Sequence, residues 1–219
     1  MNEFKTLAIV VACSIAGLTG CGGNSDGPPP SFTTQISSDP AFDGDIQLTP
    51  DGSYLVTQGM SPTVQSVFAG IDSAGTESRA FLDFHLGGAV GVPSNAIIDS
   101  AFLDIFINSL QPGTASLPIR VELVSFQPPT LLGTDYDRTQ QPPLAFVLAA
   151  PDFNRSDVGT NASIDVTALM ERAQNLGLVD FQIRIMEDLG PAITGLLEIN
   201  DSTASDRGQY APQLTVTYF

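Results

Sequence analysis

Residues Ser78–Asn108 read SRAFLDFHLGGAVGVPSNAIIDSAFLDIFIN. Two segments within this stretch alternate with period two, the signature of β-strands. Ala80, Leu82, Phe84 and Leu86 fall on one face of the first, and Phe81, Asp83 and His85 on the other. In the second, Ala101, Leu103, Ile105 and Ile107 oppose Phe102, Asp104, Phe106 and Asn108. Each strand thus has one wholly apolar face for a core. The other face mixes carboxylates with phenylalanines, as on a sheet side that is only partly solvated. Between them, Gly87–Asn95 is too rich in Gly and Pro for a helix and too long for a tight hairpin.

The same alternation recurs in short segments from about Phe32 to Phe219, broken by frequent turn signals such as Asp51-Gly52. Many short strands and few helices predict an all-β, jelly-roll-like β-sandwich. One helix is expected, over residues 167–176. Asp165-Val166-Thr167 can cap it, Gly177 can end it, and Leu169, Ala173 and Leu176 form its apolar stripe. Residues 127–143 and 189–192 lack periodicity and read as loops.

The N-terminus has a different character. Met1–Lys5 is short and polar, and Thr6–Gly20 is an uncharged, largely apolar run ending in Leu18-Thr19-Gly20-Cys21. The run is shorter than the roughly 20 residues of a membrane span, so residues 1–20 read as a secretory signal. The Leu-Thr-Gly-Cys ending resembles the bacterial lipobox, which implies cleavage before Cys21 and its lipidation. A multiply acylated cysteine holds a protein stably on a membrane. Cleavage would remove Cys13 with the signal, leaving neither a free thiol nor a disulfide. Residues 21–31, containing GGNSDGPPPS, have linker composition, and 32–219 is long enough for one domain with its own core. The expected location is the bacterial cell envelope, at the outer membrane.

The formal net charge is −16, with 24 acidic residues against eight basic ones, and Lys5 is the sole lysine. Such a chain is repelled by nucleic acid. The mature segment, without lysine, has no Schiff-base residue and no P-loop. The single histidine, His85, cannot build a multi-His zinc site, and no G-x-S-x-G elbow is present. His85 reads either as a surface side chain or as half of a catalytic pair. Paired carboxylates could hydrolyse glycosides, yet nothing singles out one pair among so many.

Three further segments carry a resemblance. Arg79–Leu86 followed by Val92–Leu103 resembles the R-x-x-L-x-F-x-L … I-P-x-x-A-x-I-x-x-A-x-L stretch of DNRLRE-type domains. Ile164–Leu169 is similar to their V-x-V-T-x-L helix start. Pro212–Tyr218 is similar to their C-terminal R-P-x-L-x-V-x-Y strand, with Ala211 standing where arginine is common. The chain has no tryptophan, although members often carry one in the long middle loop. The resemblance implies a jelly-roll related to carbohydrate-binding modules, and so a domain that binds a polysaccharide or envelope glycan without catalysis. A structural or adhesion role with a protein partner is the alternative; a carboxylate-based glycan-cleaving enzyme is the third reading.

Two kinds of site residue can be named. Asp43 and Asp45, and Asp135 and Asp137, place paired carboxylates in predicted loops, where calcium takes oxygen ligands; solvated turn aspartates are the other reading. Tyr54, Tyr136, Phe153 and Tyr210 lie near predicted loops or strand ends, where an exposed ring could stack on a sugar. Phe81, Phe102 and Phe106 project from the second face of the central strands. If covered, they are core. If open, they form an interaction patch.

Overall fold

A computed structural model describes residues 29–59, 65–112, 116–126, 130–190 and 193–219. Residues 1–20, with Cys21 and most of the linker, lie outside the described residues. Strands hold 47% of the residues and helices 11%, so the domain is all-β and sandwich-like.

The first five strands are β1 (Phe32–Ser37), β2 (Gly44–Leu48), β3 (Tyr54–Gln58), β4 (Ser66–Ile71) and β5 (Glu77–His85). The next four are β6 (Ile98–Pro112), β7 (Ile119–Val124), β8 (Ala145–Leu148) and β9 (Asn161–Asp165). The last three are β10 (Asp180–Glu187), β11 (Gly195–Asn200) and β12 (Gln213–Tyr218). Helices are brief: α1 (Gly133–Tyr136), α2 (Thr167–Asn175) and α3 (Arg207–Tyr210).

All pairings among named strands are antiparallel, in the order β1-β12-β6-β11-β4-β5-β10-β7-β8, with β2 on β5 and β9 on β6. The 15-residue β6 belongs to both layers of the curled sheet. Its first part pairs with β12 and β9, and from Ile107 onward it pairs with β11. Most pairings join strands distant in sequence, which is the jelly-roll-like feature, while β2–β3, β4–β5 and β7–β8 are consecutive. The apolar faces read from the sequence form the core: Leu82 and Phe84 of β5 and Leu103, Ile105 and Ile107 of β6 are wholly buried.

Helix α2 closes the core with Leu169, Met170 and Ala173. Leu176, expected in the stripe, is exposed, and Met170 takes its place. The Asp165 side chain accepts a hydrogen bond from Thr167 N–H at 2.9 Å, and Gly177 at φ 65° turns the chain out of the helix.

β5, β7 and β10 are buried on both faces. Segment 130–143 lies over their second face, contributing Leu131 and Tyr136 to a smaller cluster with Ile46, Phe81, Val124 and Phe126. Phe81 meets Phe126 edge-on, with ring centroids 5.8 Å apart. Beside this cluster lies a buried ionic layer. Arg184 has no exposed surface and grips Glu122 at 2.6 Å through Nη2 and 3.0 Å through Nε. It also donates to the carbonyls of Asp135 at 2.7 Å and Gln141 at 3.2 Å. Arg138 donates to the other Glu122 oxygen at 2.8 Å. Arg79 donates to the Tyr136 carbonyl and lays its guanidinium 3.8 Å from the centre of that ring. The cover is thus fixed by arginines from the sheet donating to its carbonyls.

Removing one partner of a buried pair leaves an uncompensated charge, which costs about 3–5 kcal/mol. Glu122→Ala is therefore expected to lower the stability measured by urea unfolding by about that amount, because Arg184 is left desolvated. The surface change Glu171→Ala, on the exposed side of α2, should cost under about 0.5 kcal/mol.

Candidate ligand-binding face

Where the cover ends, the other half of the sheet keeps its outward side chains exposed or half-buried among the described residues. Across β1, β12, β6 and β9 the inward residues are Ile36, Leu214, Val216, Ala101, Leu103 and Ile164, all buried. The outward residues alternate with them. Gln35, Thr215, Phe102 and Asp165 lie in register across the four strands, and so do Ser37, Gln213, Asp104 and Ser163. The result is a face of hydroxyls, amides and carboxylates that carries two phenylalanines. Phe102 is 38% exposed. Phe106 is half-buried, with the Tyr210 ring of α3 against it at a centroid distance of 4.7 Å and 64° between planes. Four residues apart on one strand, Phe102 and Phe106 are about 13 Å apart, far enough to offer separate stacking surfaces.

Beyond Phe106, as β6 passes to β11, lies a continuous polar network. Asn200 Nδ2 donates to Asn108 Oδ1 at 3.0 Å, and Asn108 Nδ2 donates to Ser66 Oγ at 3.0 Å. Ser66 and Ser109 each donate to Glu198, at 2.8 and 2.7 Å. Asp104 similarly accepts from Thr215 Oγ1 at 3.3 Å. Both Glu198 oxygens are engaged by serine hydroxyls, an arrangement that holds a carboxylate in place as an acceptor. Planar amides and a fixed carboxylate beside aromatic rings suit recognition of a hydroxylated ligand with an apolar ring face.

Of the four aromatic residues named from the sequence for stacking on a sugar, only Tyr210 belongs to this face. Tyr54 is 45% exposed on β3, where its ring lies 5.4 Å from that of Tyr136. Tyr136 and Phe153 are each 4% exposed and offer no ring to a ligand. Tyr136 is sandwiched under Tyr54 and Arg79, and Phe153 pairs with Leu117 inside the core. Asn108, Ser109, Glu198, Asn200 and Ser66 were not singled out by sequence. For Asn108, Glu198, Asn200 and Ser66 the only trace there was an outward position in alternating strands, and Ser109 joins them through the register shift of β6 against β11.

The aspartate pairs separate. Asp43 Oδ1 accepts from Asp83 N–H at 2.9 Å, and its other oxygen faces Arg207 Nη2 at 3.5 Å. The same guanidinium donates to Asp201 at 2.7 Å and to Ser38 Oγ at 3.0 Å. Arg207 is thus the cation beside Asp43, whereas Asp45 turns to Gln47 at 3.4 Å. Asp135 Oδ2 accepts from Leu132 N–H, and Asp137 accepts from Thr139 and Gln140 within its own turn. Among the described residues, no three His, Cys, Asp or Glu side chains converge as a metal ion requires.

Burial pushes Asp45 and Asp83 up to about 6. It raises Asp43 well above the carboxylate range, with the Asp201 charge adding to the effect. Asp137, accepting from Gln140 and Thr139, is held down at about 2. In comparison with known proteins, no family model and no curated protein matches this chain.

These groups set a pH dependence. Asp45 and Asp83 bind protons more tightly in the fold than in the unfolded chain, whose value is 3.8. Their contribution is complete below about pH 4 and is lost as the pH rises through about 6. That of Asp137 is present above about pH 4 and falls away toward pH 2. The melting temperature is therefore expected to be higher at pH 5 than at pH 7.5, by on the order of 5 °C. The difference should shrink in Asp45→Asn and Asp83→Asn when followed by calorimetry.

Proposed function

We propose that this chain is a non-catalytic, exported lipoprotein that binds a polysaccharide or envelope glycan on the outer face of β1, β12, β6 and β9. The observation that carries the reading is the open row of Phe102 and the Phe106–Tyr210 pair beside the Asn108–Asn200–Ser66–Glu198 network. Rings supply stacking surface for the C–H face of a sugar, and the amides and carboxylate supply partners for its hydroxyls. An open sheet face suits the interior of a glycan chain, which must pass across a site without ending in it.

The Leu18-Thr19-Gly20-Cys21 ending supports a lipid anchor at Cys21, and the Gly/Pro linker would hold the domain off a membrane. Resemblance to DNRLRE-type domains points the same way. The acidic surface favours neutral or cationic glycans over anionic ones, since like charges repel at −16. On this reading calcium is not part of the face, because its carboxylates are already engaged by hydroxyls.

The test is retention on a panel of soluble and insoluble polysaccharides, with and without calcium. Wild type should be retained by at least one neutral glycan regardless of calcium. Phe102→Ala and Tyr210→Ala should each weaken retention by about 3- to 10-fold with the melting temperature held. Absence of retention across the panel, or equal retention in both variants, would overturn the reading.

A further inference from the structure

His85, the single histidine of the chain, lies past the β1 edge of that face, where it lines a groove with Gln35 and Ser37, two strands away from Phe102 on β6. It ends β5, opposite Asp180 at the start of β10, and its Nδ1 stands 2.8 Å from Asp180 Oδ1. A carboxylate only accepts, so in the neutral ring the proton sits on Nδ1 toward Asp180 and Nε2 carries the lone pair. The ring is 66% exposed. Its Nε2 rests against Gly87, where an added Cβ would sit 2.7 Å from that nitrogen, so the residue following Leu86 must be glycine for the imidazole to hold this pose.

Beside the ring opens a cleft of about 600 Å³, within the roughly 300–1,000 Å³ range of small-molecule sites. Its walls are loop 86–94 and the C-terminal end of α2. The loop is held by its own backbone: Val92 N–H donates to Leu86 O at 2.9 Å, and Gly91 packs so tightly that a Cβ would meet the same carbonyl. Gln174 ties it to α2 by donating to Pro93 O at 3.0 Å, and Thr34 Oγ1 ties it to β1 through Val90 O at 2.6 Å. The site is thus built before any ligand arrives.

The lining decides the ligand class. Among the described residues no arginine or lysine borders the cleft, so an anion meets no permanent cation there. Val92, Met170, Leu178 and Tyr218 supply apolar surface, while Ser94 and Gln174 add polar groups near the rim. An acceptor nitrogen fixed over apolar walls matches a ligand with hydroxyl donors on an apolar body. We propose that this cleft is a second binding site, separate from the aromatic row of Phe102, Phe106 and Tyr210, which takes a neutral hydroxylated ring of pyranose size with His85 Nε2 accepting from a ligand hydroxyl.

Because the chain has one histidine, the imidazole Cε1–H signal is a unique NMR reporter. The full chain would be titrated with D-glucose, D-galactose and N-acetylglucosamine, and with sodium acetate and ethylamine as charged comparators. A saturable shift is expected with at least one sugar below about 50 mM, and none with acetate or ethylamine. Ligand-observed saturation transfer should show about tenfold weaker binding in His85→Ala, with Ser94→Ala checking the wall should the first variant fold poorly. Phe102→Ala should leave the His85 response unchanged, which separates this site from the glycan face. The proposal is overturned if no sugar shifts the signal, if a charged comparator shifts it equally, or if binding survives in His85→Ala.

Discussion

The buried contact of Arg184 with Glu122 decides which parts of this sheet meet water. A guanidinium with no exposed surface is costly to bury unless every donor is answered. Here Glu122 and the carbonyls of Asp135 and Gln141 answer it. Those carbonyls belong to segment 130–143, so satisfying Arg184 requires that segment to lie on the sheet. Arg79 repeats the arrangement with the Tyr136 carbonyl. Together they turn one half of the sandwich into three layers. Phe81 becomes a core residue as a consequence, although its strand position alone would let it face solvent.

The other half has no such arginine. On the outward side of β6, Phe102, Asp104 and Phe106 occupy the positions that Phe81 and Asp83 occupy on β5, yet among the described residues no arginine ties a segment over them. Here the short helix α3 approaches, bringing Tyr210 against Phe106. Arg207 of that helix is drawn inward by Asp43, Asp201 and Ser38, which sets where α3 sits. The open aromatic row is therefore a product of where the charged anchors fall along the chain.

This accounts for what could be read in advance. Alternation in β5 and β6 specified the core because the inward positions from Ala80 to Phe84 and from Ala101 to Ile107 are apolar, and the Asp165 cap and Gly177 marked α2 by local chemistry. Phe81 and Phe102 could not be distinguished. Both sit in an x-Phe-Leu-Asp context on alternating strands, and their fates depend on contacts with residues far away in sequence. Asp43 is similar: its loop looks like a calcium loop locally, but its partner Arg207 lies 164 residues later. Glu198 and Asn200 were hidden for another reason, since a polar residue facing outward is ordinary until a second strand places Ser66 or Asn108 beside it.

The scarcity of cations gives these placements their force. With seven arginines and a single lysine near the N-terminus, the chain cannot neutralise its 24 carboxylates pairwise. Five arginines are committed to ion pairs within the fold: Arg79, Arg120, Arg138, Arg184 and Arg207. Interior carboxylates left over, Asp45 and Asp83, are raised toward neutrality by burial instead. Outside, the excess negative charge remains uncompensated, and the open face carries Asp104 and Glu198 held by hydroxyls without an arginine or lysine among their hydrogen-bond partners. A surface so constituted discriminates against anions by default. It recognises through acceptors and ring faces, and that combination selects ligands that bring their own hydrogen-bond donors on an uncharged body.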